Sequence, residues 1–259
     1  MAFFTVQGLR AGYAKCEILN EINFFLPEGQ VCGLLGANGS GKTTLIKAMC
    51  GILSHKGHCT LDGEGLEGLS VRNFAKKCAY IPQQSGIGIA LSCEEVVLMA
   101  FNPQLKILQR PTKAMRQAAR EALAAVGLAE KAGQDFQTLS AGQKQLCLLA
   151  RAMAGGASML FLDEPESALD FSHRLTAMRL LQNWAQAGQR CVLAALHDPQ
   201  LALNECGMLV LLKDGKILGQ FDPRTTPLQT QERWLRELYG PLRLTEWNGK
   251  RALFWEEAT

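Results

Sequence analysis

One stretch, Gly36-Ala37-Asn38-Gly39-Ser40-Gly41-Lys42-Thr43-Thr44, limits what the chain can fold into more than any other. It follows an apolar run, Val31 to Leu35, and precedes Leu45-Ile46-Lys47-Ala48-Met49, which reads as strand, glycine-rich loop and helix start. Polyphosphate concentrates several negative charges in a small volume and needs many donors around it rather than one cation. Gly36, Gly39 and Gly41 admit backbone conformations and close approaches that a Cβ would block, so successive N–H groups can turn inward. The helix beginning near Lys42 adds unpaired N–H groups and the positive end of its dipole. Lys42 would reach the outer phosphates, with Asn38, Ser40 and Thr44 completing the loop, and the Thr43 hydroxyl would enter a Mg²⁺ shell that keeps several waters. A glycine-rich turn that binds nothing is the alternative, and the full G-x-x-x-x-G-K-T pattern between a strand and a helix weighs against it.

A chain of 259 residues is long enough for one large domain, or a domain with a lobe. Its net charge of +3 is too small to mark a nucleic-acid surface, so partners have to be inferred from sites. The nine cysteines are scattered with no C-x-x-C pair, and several sit in apolar runs, as Cys147 does, so they read as small core residues in a reducing compartment. The start, Met1-Ala2-Phe3-Phe4-Thr5-Val6, lacks the basic and long apolar stretches of a signal peptide, and no run of about twenty apolar residues follows. The expectation is a soluble cytoplasmic protein whose membrane role, if any, comes through a partner.

Along the chain, Phe4 to Leu9 and Ile18 to Leu26 read as strands, the second alternating Ile22, Phe24 and Leu26. Tyr13, in the loop between them, could stack on a base or be ordinary half-buried packing. His55 and His58 are spaced H-x-x-H beside glycine and read as a solvated loop, with no metal ligand assigned. Cys78 to Gln84 is a strand running into a loop, where the Gln83 amide could accept from metal-bound water or donate to phosphate. Residues 92–139 change to helical periodicity, with a break at Pro103 and an amphipathic helix from Thr112 to Val126. Ser140 is a good cap for a helix over Lys144 to Met153, whose free N–H groups make a second anion site. Met159 to Leu162 is a buried parallel strand ending in two acids. Asp163 can bind Mg²⁺ through water, and Glu164 can take a proton from an attacking water; a structural ion pair is the other reading. Ser167 to Asp170 begins the next helix, and the strand Cys191 to Leu196 delivers His197 to the edge where such sheets bind ligands. Hairpins at Asp214-Gly215 and Asn248-Gly249 close the chain.

Together these stretches resemble the nucleotide-binding subunit of ATP-binding cassette (ABC) transporters over nearly the whole chain. Gly36 to Thr43 matches the Walker A motif and Met159 to Glu164 the Walker B motif. Gln83 falls at the Q-loop, Leu139 to Gln143 at the signature, Asp170 in the D-loop, His197 at the switch histidine and Tyr13 at the adenine-stacking position. The resemblance implies an α/β P-loop NTPase fold with a parallel sheet, an N-terminal antiparallel β portion and an inserted helical lobe. Residues 1–91 and 140–220 would form the ATP-binding core, 92–139 the helical subdomain that meets the membrane partner, and 221–259 a C-terminal appendage. It implies ATP and Mg²⁺ as ligands, Thr43, Gln83 and Asp163 as the metal's partners, and Glu164, His197 and Gln83 as the catalytic set.

The resemblance further implies a head-to-tail dimer, in which ATP on one copy's phosphate loop is covered by Ser140, Ala141, Gly142 and Gln143 of the other. Polytopic permease subunits hold the pair at the cytoplasmic face of the membrane, and a substrate-binding protein acts indirectly; no nucleic acid is expected. Position 141 is Ala where the family usually has Gly, so a positive φ there would cost about 1–2 kcal/mol. The continuous helical lobe, His197-Asp198 and the ending with Tyr239-Gly240 look like importers for iron-siderophore complexes, haem or cobalamin. Zinc or manganese importers are the nearest alternative. A soluble ABC ATPase of the iron–sulfur assembly type is the competing class; a small-molecule kinase would have no use for the signature.

Overall fold

The computed structural model describes residues 2–14, 16–83 and 86–256, so Gln84 lies outside the described residues. The chain forms two compact units, residues 1–67 with 191–259 and residues 68–190.

The first unit opens with β1 (Ala2–Tyr13) and β2 (Cys16–Pro27), paired antiparallel. Period-two patterning sets their inner face. Ile22, Phe24 and Leu26 are buried while Asn23 and Phe25 face water, and Leu19 rejoins the inner face across a bulge at Asn20-Glu21, where Glu21 has φ of 57°. β3 (Val31–Leu35) is buried at all five positions, as expected of a parallel strand covered on both sides. It leads through the glycine loop into α1 (Lys42–Met49). β4 (His55–Leu61) and β5 (Glu64–Gly65) join through Asp62-Gly63, both at positive φ (50° and 77°), which matches the right-handed twist of a tight hairpin. These strands form an antiparallel sheet in the order β2-β1-β4-β5.

The second unit contains α2 (Val71–Lys77), β6 (Cys78–Ile81), α3 (Cys93–Leu98), α4 (Lys113–Ala125), α5 (Ala141–Ala154), β7 (Met159–Asp163) and α6 (Phe171–Gln186). Each helix begins where a polar side chain can accept the N–H three residues on: Ser70, Ser92, Thr112, Ser140 and Asp170 do so in turn. Such caps are worth about 1 kcal/mol each and fix the starts more sharply than propensity does. Helix α5 therefore starts at Ala141, three residues before the Lys144 expected from periodicity. Pro103 does not break the chain outright but sits in a 3₁₀ turn, Met99–Gln104, which needs fewer backbone donors. α3, α4 and α5 pack on Val96, Val97, Ala119, Leu123, Leu146 and Cys147, and β6 runs parallel to β7.

The chain then returns to the first unit as β8 (Cys191–Ala195), α7 (Pro199–Glu205), β9 (Met208–Lys213), β10 (Lys216–Phe221), α8 (Leu228–Tyr239), β11 (Leu242–Trp247) and β12 (Lys250–Trp255). Within this unit the strand order is β10-β9-β3-β8, with β3 parallel to both neighbours and β10 antiparallel to β9. Gly215, in the β9–β10 turn, cannot be another residue. Its φ is +71° and an added Cβ would lie 1.8 Å from the Ile18 carbonyl oxygen. That close approach lets Gly215 donate to the Ser40 carbonyl at 3.1 Å and accept from Asn20 N–H at 2.9 Å, tying hairpin, β2 and glycine loop together.

Eight of the nine cysteines are buried, Cys16 alone being exposed, and none is disulfide-bonded. Among the described residues no helix is long and apolar enough to cross a membrane.

Candidate functional site

In the first unit, β3 and β8 run parallel in register from Val31↔Val192 to Leu34↔Ala195. Their carboxyl ends therefore open on one edge, where an α/β sheet presents its loops. β3 delivers residues 36–41 there and β8 delivers His197 and Asp198.

The glycine loop is built as a cradle. Gly39 and Gly41 have φ of +81° and +104°, and a Cβ at Gly36 would meet Ser40 Oγ at 2.4 Å and the Leu212 carbonyl at 2.5 Å. Lys42 is 6% exposed, and its Nζ donates to the carbonyls of Gly36 at 2.7 Å and Ala37 at 3.3 Å, so the cation lies folded along its own loop. Ser40 Oγ is buried without a hydrogen-bond partner among the described residues, a cost that an acceptor anion in the cradle would remove. Ala37, Asn38 and Gly39 face solvent, while Thr43 is half-buried and Thr44 buried in the first turn of α1, where no acidic residue opposes an anion. These are the features that inorganic or nucleotide phosphate requires, and the donor set fits it.

Tyr13 ends β1 and is 46% exposed, as a ring that receives a planar ligand must be. His197 is exposed; Asp198 caps α7, accepting from Gln200 N–H at 2.9 Å and Leu201 N–H at 3.0 Å. Tyr239, at the end of α8, is a neighbour that sequence reasoning treated only as a family marker. Burial pushes its hydroxyl up to about 12, against the backbone of Gly36 and with the Asp198 carboxylate adding to the rise. The C-terminal segment thus packs directly behind the phosphate loop.

In the second unit, β6 and β7 are parallel from Cys78↔Met159 to Ile81↔Leu162, so Gln83 and Glu164 emerge on a common edge. Gln83 Nε2 donates to Glu164 Oε2. Asp163 is 2% exposed as the last residue of β7, whereas Glu164 is partly open and adopts φ of 54°. A non-glycine residue there stores about 1–3 kcal/mol and persists only if the surroundings hold it. They do: the Glu164 carbonyl accepts both the N–H and the hydroxyl of Ser167, at 3.2 and 3.0 Å.

Ser140 is exposed and forms a capping box with Gln143: its Oγ accepts Gln143 N–H at 3.3 Å, and Gln143 Oε1 accepts Ser140 N–H at 3.2 Å. Ala141 is the first helical residue and is not among the residues at positive φ, so the anticipated strain does not arise. An added Cβ on Gly142 would come 3.3 Å from the Ala168 carbonyl, which sets this helix start against the segment leading to Asp170. Asp170 accepts from the N–H of His173 at 2.9 Å, from the Ser172 hydroxyl at 2.9 Å and lies 2.8 Å from His173 Nδ1. Those donors hold its carboxyl down at about 2.

The reading of the two histidines is corrected as well. His55 and His58 do not lie in a solvated loop: both belong to β4, and His55 is grouped with Cys59 and Glu67, their donor atoms all within 4.8 Å of one another. The physical reason is the Asp62-Gly63 turn, which brings Glu67 back beside the strand that carries Cys59. The signal available in the sequence was a cysteine following H-x-x-H and a carboxylate just beyond a tight turn.

Compared with known proteins, residues 19–167 match the ABC transporter family. The Hemin import ATP-binding protein HmuV of Pseudomonas entomophila is 37% identical over 217 residues, covering 82% of this chain and 83% of that protein. The Cobalamin import ATP-binding protein BtuD of Halobacterium salinarum is 32% identical over 221 residues, 85% of this chain, although the chain spans only 55% of that relative's length. Among solved structures, an inward-facing conformation of a metal-chelate type ABC transporter superposes with a TM-score of 0.80 at 25% identity, covering 98% of this chain and 96% of that one.

Proposed function

The chain belongs to the ABC transporter family, and from that premise we propose that it is the ATP-hydrolysing subunit of an importer for iron-siderophore complexes, haem or cobalamin. The observation that carries the ATP reading is the glycine cradle, with Lys42 folded along it and a buried Ser40 hydroxyl that has no partner among the described residues. The haem, cobalamin and metal-chelate relatives support the substrate class.

In this reading Tyr13 stacks on the adenine. The N–H groups of the loop from Gly36 to Gly41, with Asn38, Ser40 and Thr44, surround the phosphates, and Lys42 leaves its own carbonyls for the outer phosphate oxygens. Thr43, Gln83 and Asp163 would hold Mg²⁺, which when bound neutralises phosphate charge. Glu164 takes a proton from the attacking water as the bond from the γ-phosphorus to its bridging oxygen breaks, giving ADP and phosphate. The Gln83 amide, donating to Glu164 Oε2, orients that carboxylate. His197 hydrogen-bonds the γ-phosphate. Ser140 of a second copy, with the N–H groups of Ala141 and Gly142 and the Gln143 side chain, closes the site head-to-tail and excludes water, and Asp170 lies in the segment packed against that helix start.

Residues 92–139 meet the permease, with the almost fully exposed Ile107 and Leu108 as apolar surface for it to cover. The permease keeps the pair at the inner face of the membrane, and residues 221–259 form the appendage behind the phosphate loop. Reconstitution with its permease and binding protein in vesicles tests the proposal. ATP-driven uptake of a ferric siderophore, haem or cobalamin is expected; turnover with uptake of none of the three would overturn the substrate class, and no turnover at all would overturn the enzymatic reading.

A further inference from the structure

The first unit contains a second cluster of ligating side chains, in the antiparallel sheet and outside the nucleotide machinery. His55 and Cys59 lie four residues apart on β4, one at its start and the other with its thiol in the core. Period-two geometry puts both on one side of the strand, and the turn at Asp62-Gly63 returns Glu67 to the same place. The Cys59 N–H donates to Glu67 Oε1, which aims the carboxylate into the cluster. His55 Nε2 is buried with no hydrogen-bond partner among the described residues, its nearest carboxylate oxygen, Glu67 Oε1, being 3.8 Å away. A buried imidazole nitrogen held short of bonding distance from a carboxylate and beside a thiol is poorly satisfied as it stands. A cation among the three would satisfy it.

The donor set selects the ion. One imidazole nitrogen, one thiol sulfur and one carboxylate oxygen suit a borderline-soft divalent ion; Mg²⁺ and Ca²⁺ prefer oxygen alone. Metal–donor bonds of about 2.0–2.3 Å place tetrahedral donors about 3.3–3.8 Å apart, so the cluster need contract only by about 1 Å, within the reach of small side-chain rotations. His58 stands on the solvent side, its Nδ1 4.0 Å from Glu67 Oε2 and its side chain 76% exposed, where water can fill a fourth position beside it. His55 also borders an open cleft with Arg10, Gly12, Glu17 and Ser54. Burial, with Glu67 adding to it, pushes the free Cys59 thiol up to about 12, so the empty cluster carries S–H, and binding exchanges that proton for the metal.

We propose that His55, Cys59 and Glu67 form a binding site for a zinc-class divalent transition ion, separate from the ATP site. Its position has a consequence. β1 pairs with β4 as far as Ala11↔His55, two residues before Tyr13, so the ion would pin the strand end that presents the aromatic ring.

Cobalt(II) is the probe, titrated into the reduced 259-residue chain without nucleotide or Mg²⁺. One equivalent is expected to produce a thiolate-to-cobalt charge-transfer band with tetrahedral visible bands, both removed by one equivalent of Zn²⁺. Cys59→Ser should abolish the charge-transfer band. His55→Gln should weaken binding at least about tenfold while leaving every cysteine in place. Cys16→Ser, at the one exposed cysteine, should change nothing. Zn²⁺ should also raise the melting temperature of the unaltered protein and not that of His55→Gln. Absence of a thiolate band at one equivalent would overturn the site, as would a band of undiminished affinity in His55→Gln. The second variant decides the matter even if Cys59→Ser does not fold.

Discussion

At the scale of single residues, the account rests on what Glu164 and its neighbours are free to do. Glu164 sits at positive φ, fastened through its carbonyl to Ser167, with its carboxylate receiving the Gln83 amide. Removing its basicity while keeping its shape should cost about 10²–10⁴ in rate, the usual worth of a general base. Glu164→Gln is therefore expected to bind ATP with unchanged affinity and to hydrolyse it that much more slowly, read by nucleotide titration beside single-turnover hydrolysis; an unchanged rate would remove Glu164 from the mechanism. Ala141 is different. Because it is an ordinary first-turn helical residue, Ala141→Gly relieves no strain and should leave ATP affinity and turnover within about twofold, the scale of a helix-propensity change at an exposed end. A larger gain in turnover would show that the residue changes conformation when nucleotide binds. The phosphate-loop glycines were legible in the sequence because Gly39 and Gly41 answer a positive φ and Gly36 the closeness of Ser40, four residues on. The Gln83–Glu164 bond was not, since it joins residues 81 positions apart and depends on β6 and β7 being neighbours.

At the scale of elements, legibility followed locality. The β2 alternation and the helix from Thr112 could be read directly, because period-two burial and a side-chain cap are written in adjacent residues. Helix α8 was missed. It is rich in Gln, Arg and Glu, and one of its buried positions is Gln231, which is fully enclosed and donates to the Pro223 and Thr226 carbonyls. Hydropathy cannot see a buried polar residue whose partners are backbone carbonyls of the turn just before its helix. The His55–Cys59–Glu67 group escaped for a similar reason, since a turn rather than a linear spacing assembles it. The β9–β10 hairpin offers a test at this scale. Gly215→Ala forces a Cβ toward the Ile18 carbonyl and keeps a left-handed φ, so a loss of about 2 kcal/mol or more in urea unfolding is expected. Because Gly215 also donates to the Ser40 carbonyl, ATP affinity should fall with it. Loss of stability with ATP affinity untouched would uncouple the hairpin from the loop.

For the whole molecule, the two units each present chemistry at the carboxyl edge of parallel strands: the phosphate loop and His197 in one, Gln83, Asp163 and Glu164 in the other. Ser140 is exposed, and its hydroxyl takes up the Gln143 N–H as the cap of its own helix, which leaves the N–H groups of Ala141 and Gly142 to an anion from outside. The central claim is that this anion is the ATP of a second copy. The direct measurement is the mass of Glu164→Gln by sedimentation equilibrium, with and without saturating Mg-ATP. The account predicts a monomer without nucleotide, a dimer with it, and loss of that dimer but not of ATP binding when Ser140→Arg is added. ATP-saturated Glu164→Gln that remains a monomer, or a dimer indifferent to Ser140→Arg, would contradict it.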